Sequence, residues 1–256
     1  MTTVLVTGGT GNLGQHVVRQ LRATDWQVRL ASRQTRPDDP APGCPWATVD
    51  YRTRAGLDDA LTGTDVVIHC ASGSTRGEAE TMAALLSSGK RAGLGHLIYI
   101  SIVGVDKLPM SYYRAKLAAE RALIASGVPW TILRTTQFHD LALTLVKGMC
   151  RLPVGMTPKG VSAQPVAAQE VAARLVGLAG AAPAGRVPEL GGPEIKSLTE
   201  LARMYLNSVG SRKPIMTLPL PGKLMKGLRR GDGLTPDHGD GVETFADFLQ
   251  VRPHTS

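Results

Sequence analysis

Residues 7–14 read Thr7-Gly8-Gly9-Thr10-Gly11-Asn12-Leu13-Gly14, and their flanks decide the fold. Ahead of them lies Val4-Leu5-Val6, a short apolar run that reads as a buried strand. Behind them, Leu13, Val17, Val18 and Leu21 fall at the spacing of one helix face. The turn satisfies GxGxxG through Gly9, Gly11 and Gly14, and GxxGxxG through Gly8, Gly11 and Gly14. Glycines allow a tight turn and let the backbone approach a pyrophosphate. The helix N-terminus then offers free N–H groups and a positive dipole end. Such a motif is weak alone and gains its weight from opening the first strand–helix–strand unit. Gly8, Thr10, Gly11, Asn12, Leu13 and Gly14 are the candidate contacts.

Working outward, further strands are expected at 27–31, 46–49, 65–70, 97–100 and 130–133, with helices at 57–61, 78–91 and 113–126. This alternation predicts an α/β fold: a doubly wound parallel sheet with its ligand crevice outside the carboxyl ends of the strands. Beyond Arg134 the pattern loosens. Helices are expected at 140–150 and 166–179, and a Pro/Gly-rich connection at 152–158. One more strand is read at 186–190, and Ser197 with Glu200 forms a capping box for a helix to 209. Residues 214–241 read as irregular, and 242–249 as a last short helix. The expected division is a dinucleotide-binding core over 1–134, with 164–192 packing back onto it. A small C-terminal substrate lobe from 135–163 and 193–256 would close over the crevice.

Composition narrows the function. Apolar residues make up 43% and charged residues 20% of 256, ordinary for a globular chain and unlike a disordered one. Aromatics at 4% argue against a stacking platform for nucleic acid. Lys and Arg exceed Asp and Glu by 29 to 21, which suits an anionic ligand. Cys44, Cys70 and Cys150 form no CxxC pair, so neither a disulfide framework nor a zinc site is expected, and a reduced, cytoplasmic setting fits. Met1-Thr2-Thr3 runs straight into a strand without a signal-peptide pattern. The longest apolar stretches are too short to span a bilayer, and no membrane partner is expected.

A site that prefers NAD wants a carboxylate at the end of the second strand for the ribose 2′-hydroxyl. Here that place reads Leu30-Ala31-Ser32-Arg33. A guanidinium suits a 2′-phosphate by charge and by its paired donors, and Ser32 adds a hydroxyl. NADP(H) is therefore preferred over NAD(H), with Arg36 as a possible helper. Asp50, ending the third strand, either accepts from an adenine amino group, with Tyr51 flanking the ring, or caps the next turn.

Strand five ends at Ser101, and Ser111-Tyr112-Tyr113-Arg114-Ala115-Lys116 opens the next helix. Tyr112 and Lys116 stand at i and i+4 and share a face. A phenol has a pKa of about 10, and a neighbouring ammonium would lower it. Tyr112 would then act as general acid to a carbonyl oxygen, with Ser101 hydrogen-bonding the same oxygen. Lys116 would also hold the nicotinamide ribose.

TGGTGNLG, Ser32-Arg33, Ser101 and YYRAK together resemble the short-chain dehydrogenase/reductase superfamily. The stretches YYRAKLAAERAL, SGVPWTILRTTQF and GVETFADFL are similar to its atypical, NmrA-like branch. The resemblance covers nearly the whole chain. It implies a Rossmann core with a small substrate lobe and a bound NAD(P)(H). It carries dinucleotide roles to Gly8, Gly11, Gly14, Leu13 and Arg33, places Cys70, Ala71 and Ser72 along the cofactor, and sets Lys116 at the nicotinamide ribose. Thr135 and Gln137 would lie near the nicotinamide, and Tyr113, Phe138 and His139 are the candidate substrate contacts. Two features depart from the family's pattern: Ser101 to Tyr112 is a short spacing, which lets Tyr113 compete as proton donor, and Arg134-Thr135-Thr136 lacks the usual proline.

The resulting expectation is an NADP(H)-dependent oxidoreductase, transferring hydride to or from a carbonyl or quinone-like apolar small molecule, as a monomer or homodimer. The alternative is a non-catalytic dinucleotide-binding redox sensor, which the branch also contains. No metal site is expected: the histidines show no paired spacing, and Asp237-His238-Gly239-Asp240 reads as a polar loop. His69 reads as a core residue, the basic run 223–230 as a solvated face, and Leu224, Met225 and Leu228 as lobe core or pocket lining.

Overall fold

Thr3–Thr7 forms the first strand and is buried along its whole length, as a strand covered on both faces must be. In this computed structural model residues 1–34, 44–71 and 77–251 are described. The elements in chain order are β1 (Thr3–Thr7), α1 (Asn12–Leu21), β2 (Gln27–Ser32), β3 (Trp46–Thr48), α2 (Leu57–Leu61), β4 (Val66–His69) and α3 (Gly77–Ala92). There follow β5 (His96–Ile102), α4 (Ser111–Ile124), β6 (Trp130–Thr135), α5 (His139–Met149), β7 (Gly155–Pro158), β8 (Ser162–Ala163) and α6 (Ala168–Ala179). Last come β9 (Gly185–Arg186), β10 (Lys196–Ser197), α7 (Leu198–Ser208), β11 (Ile215–Leu218), α8 (Lys223–Arg230) and α9 (Phe245–Val251).

The chain divides into two units. The first comprises Met1–Ser101, Ser111–Leu133 and Val171–Val187. Its sheet runs β3-β2-β1-β4-β5-β6-β9. β1 pairs in parallel with β2 on one side, Val4 opposite Val28, and with β4 on the other, Val4 opposite Val66. The strand order reverses at β1, and in such a sheet the crevice for a ligand opens where that reversal falls. Leu5, Val67, Leu97 and Tyr99 from the strands meet Leu57, Met82, Leu85 and Leu123 from the helices in one core. This is the Rossmann-type α/β fold.

The second unit comprises Ile102–Met110, Arg134–Glu170 and Pro188–Ser256. Its core joins α5, α7 and α9 through Leu143, Val146, Leu201, Leu206, Phe245 and Phe248. The capping box at α7 is present: Ser197 Oγ accepts from Glu200 N at 3.1 Å, and Glu200 Oε2 accepts from Ser197 N at 2.7 Å. The stretches 152–158 and 214–241 are more regular than their composition suggests. β7 and β11 pair in parallel, Met156 opposite Met216, and α8 follows between Gly222 and Gly231. Short apolar runs enclosed by prolines become strands here because each gives the other a hydrogen-bonding partner.

Candidate functional site

The glycine turn is built so that only glycine fits. Gly8 sits at φ +68°, and a Cβ there would stand 2.6 Å from both N and Cα of Ala71 after β4. A Cβ on Gly14 would meet the Gly8 carbonyl oxygen and stand 2.7 Å from Gly9 Cα. Gly11 N donates to Gly8 O at 2.9 Å, closing the turn. Gly11 is also the residue that caps α1, and it offers no side chain to the amides of the first helical turn. Those N–H groups and the helix dipole suit an anion. The cradle fits the pyrophosphate of a dinucleotide: it has close backbone approach, a helix N-terminus with no side-chain cap and no acidic residue in the first turn. Thr10, Gly11 and Asn12 are exposed; Leu13 is buried and anchors the helix beneath them.

At the end of β2, Ser32 is buried and its hydroxyl accepts from Gln34 N at 3.2 Å, while Arg33 is exposed. Arg36 and Ser72 lie outside the described residues. Asp50 takes the turn-capping alternative: its Oδ1 accepts from Arg52 N at 2.8 Å and Thr53 N at 3.3 Å, and these backbone bonds hold its carboxyl below the ordinary range. Tyr51 is buried, and burial pushes its phenol up to about 12.

Beside the turn, the end of β4 carries His69, Cys70 and Ala71. His69 is fully buried, as expected of a core histidine, with Nδ1 2.6 Å from Thr7 Oγ1 and its ring stacked on Tyr99 at 5.7 Å. Burial lowers its pKa to about 4, so it is neutral. Burial also pushes the Cys70 thiol up to about 12, which removes it as a nucleophile.

The Ser101, Tyr112 and Lys116 set departs from expectation in one respect. Ser101 is 2% exposed and its Oγ has no hydrogen-bond partner among the described residues. Tyr112 is half-exposed in the first turn of α4. Tyr113, a candidate substrate contact, is buried, and burial raises its pKa. Lys116 does not stand free to serve Tyr112. It is buried, and its Nζ lies 2.8 Å from Glu78 Oε1, 3.2 Å from Ile100 O and 4.6 Å from the centre of the Tyr99 ring. Tyr99 donates to the same Glu78 oxygen at 2.7 Å, and burial followed by the Glu78 charge raises its pKa. A carboxylate in direct contact cancels most of the field that the ammonium would exert on a phenol. Sequence reasoning missed Glu78. It opens α3, 38 residues before Lys116, and no local spacing links the two.

In the second unit, Thr135 is buried and its carbonyl accepts from Val103 N at 3.0 Å. Gln137 is half-buried and donates to Gly233 O at 3.4 Å. Phe138, half-buried, caps α5. His139 departs from the expected substrate contact. It is fully buried, its Nε2 lies 3.0 Å from Glu243 O, and its ring stacks on Phe248 at 5.0 Å, so it packs within the core that α5 shares with α9.

The fold and the glycine cradle define a dinucleotide-binding protein of Rossmann type. A family model described as NAD(P)H-binding matches residues 8–179, and the chain belongs to that family. The chain is 32% identical over 148 residues to (4-alkanoyl-5-oxo-2,5-dihydrofuran-3-yl)methyl phosphate reductase of Streptomyces griseus, a match covering 57% of this chain and 51% of that protein. It is 25% identical over 141 residues to Quinone oxidoreductase 2 of Escherichia coli, covering 54% and 49%. The chain thus spans about half the length of these curated relatives. Among solved structures, the NADPH-dependent quinone oxidoreductase of Escherichia coli complexed with NADPH superposes with a TM-score of 0.82 at 21% identity, over 96% of this chain and 98% of that one. That likeness shows the fold.

Proposed function

We propose that this protein is an NADP(H)-dependent oxidoreductase of the atypical short-chain type, acting on a carbonyl or quinone-like apolar small molecule. The observation that carries the reading is the glycine cradle at the strand-order reversal, which opens onto the N-terminus of α1, where the capping residue Gly11 has no side chain. The names of the two curated relatives, a reductase and a quinone oxidoreductase, support it. A bound nicotinamide nucleotide supplies or accepts the hydride. The chain supplies binding and the proton. Gly8, Gly11, Gly14 and the first amides of α1 hold the pyrophosphate. Arg33 takes the 2′-phosphate by a charge-assisted, two-donor contact. Tyr112 gives the proton to the substrate oxygen, and the Ser101 hydroxyl, without a partner among the described residues, hydrogen-bonds the same oxygen.

Two substitutions test this. Arg33→Ala should raise the Kd for NADPH at least about tenfold, the loss of one charge-assisted pair, and leave that for NADH nearly unchanged. Equal effects on the two cofactors would sink the 2′-phosphate assignment. Tyr112→Phe should lower kcat with quinones or aromatic ketones by about 10²–10⁴-fold while the NADPH Kd stays constant. Unchanged turnover would remove the tyrosine from the chemistry.

A second reading, a dinucleotide-binding redox sensor without turnover, draws support from the Glu78–Lys116 ion pair. A lysine neutralised in this way does little to activate a phenol. Tight NADPH binding with no consumption of NADPH across the same substrates would favour it.

A further inference from the structure

The positive charge of this chain is concentrated. Residues 141–160 hold three Lys and Arg and residues 201–230 hold seven, and neither stretch contains an Asp or Glu. The whole chain carries only +8, so the remainder is slightly acidic. Both stretches belong to the second unit, and the pairing of β7 with β11 brings them together. Lys213 Nζ donates to Cys150 O at 3.3 Å, Lys159 N to Leu218 O at 2.8 Å, and Arg229 passes within 3.5 Å of where a Gly160 Cβ would stand. The two stretches therefore form one surface.

That surface is also apolar. Ile215 of β11 packs on the core, so its neighbour Met216 points the other way, and the register sets Met156 beside it. Met216 is 53% exposed and Met156 37%. Leu152 and Val154 before β7 and Leu220 after β11 are exposed as well. Leu224, Met225 and Leu228 of α8 are half-buried, the last two against the core, while Lys223, Lys226 and Arg229 are exposed. Arg230 pairs with Asp232 at 2.6 Å, but Lys223, Lys226 and Arg229 make no ion pair among the described residues. Exposed aliphatic side chains flanked by such cations suit one kind of surface: a bilayer with anionic headgroups, where the cations meet phosphate and the aliphatic groups enter the headgroup–acyl boundary.

We propose that this face of the second unit, centred on Met156 and Met216, docks peripherally on an anionic lipid surface. The proposal does not depend on the redox reading. From sequence no membrane partner is expected, because no stretch spans a bilayer and Leu224, Met225 and Leu228 read as lobe core or pocket lining rather than a membrane surface. Peripheral docking needs no span, and none of the described helices is long and apolar enough to cross a membrane. Nucleic acid would gain nothing from the methionine pair, and among the described residues the exposed large apolar ones include no aromatic on which a base could stack. A two-fold contact with a second copy would set the cations against themselves.

The test is co-sedimentation of the full chain with vesicles of phosphatidylcholine and phosphatidylglycerol, against phosphatidylcholine alone. Retention is expected on the anionic vesicles at low salt, with release at high salt and none on the neutral ones. Lys223→Glu with Lys226→Glu should weaken binding at least about tenfold. Met156→Ser with Met216→Ser should weaken binding to vesicles but not to heparin. Arg151→Glu with Lys159→Glu serves if the first charge reversal disturbs folding by circular dichroism. Absence of retention overturns the proposal. So does indifference to both methionine changes, which would mark general polyanion attraction, and so does tighter capture by an acidic polypeptide than by the vesicles, which would mark a protein partner.

Discussion

Glu78→Leu is expected to cost about 3–5 kcal/mol of folding stability, the cost of removing one partner from a buried ion pair. Glu78 and Lys116 are 1% and 2% exposed, and their charged atoms lie 2.8 Å apart. The substitution strands an ammonium with the Ile100 carbonyl at 3.2 Å and deprives the Tyr99 hydroxyl of its acceptor. Attraction between two buried charges roughly offsets their desolvation, whereas a single one has nothing to offset it. In a chain of this size the melting temperature should fall by about 10 °C or more. Adding Lys116→Met should recover most of the loss, because the pair is then replaced by apolar groups of similar length. Urea unfolding of the two variants decides the matter. A cost below about 1 kcal/mol for Glu78→Leu would mean that the pair is solvated, as surface pairs are. Lys116 would then be available to the chemistry after all.

Folding stability should rise steeply between pH 4 and pH 6.5. His69 is fully buried and neutral, with a folded pKa of about 4 against about 6.5 in the unfolded chain. Between those values the unfolded chain binds a proton that the folded chain refuses, so stability increases with pH across the window. Its contribution is complete above about pH 6.5 and is lost as pH falls toward 4, for a total of about 3 kcal/mol. Burial lowers the pKa of His96 and His139 too, which adds loss of the same sign. Asp106, held down by Arg134 against its own desolvation, extends the loss to more acid pH. Glu243, raised first by burial and then by Glu170, acts in the opposite sense. Urea midpoints measured from pH 7.5 to pH 4.5 test the slope. His69→Gln, which keeps a hydrogen-bonding group near Thr7 but cannot titrate, should flatten it. An unchanged slope in that variant would show that His69 is not the main source.

Most of what the residues alone reveal lies in the first two thirds of the chain, with the cap of α7 beyond it. The glycine turn, the alternation of apolar runs with helical spacing, and the Ser197–Glu200 capping box depend on neighbours within a few residues, and periodicity records such neighbours directly. His69 is legible as a core residue because it lies inside an apolar strand, whereas the sequence leaves Asp50 open between an adenine contact and a turn cap, and the bonds from Arg52 N and Thr53 N show the cap. The tertiary structure decided everything that depends on distant partners. The register of β7 against β11 joins residues 60 positions apart, so stretches read as connections became strands. The helix at 223–230 did carry a signal, apolar positions at 224, 225 and 228 between two glycines, but its proline-rich approach concealed it. Lys116 is the plainest case. Its place four residues after Tyr112 fixes which helix face it occupies, but the group beside its ammonium comes from another helix. Burial makes that group an unhydrated carboxylate, and a charge out of water is governed by its nearest partner rather than by its place in a motif.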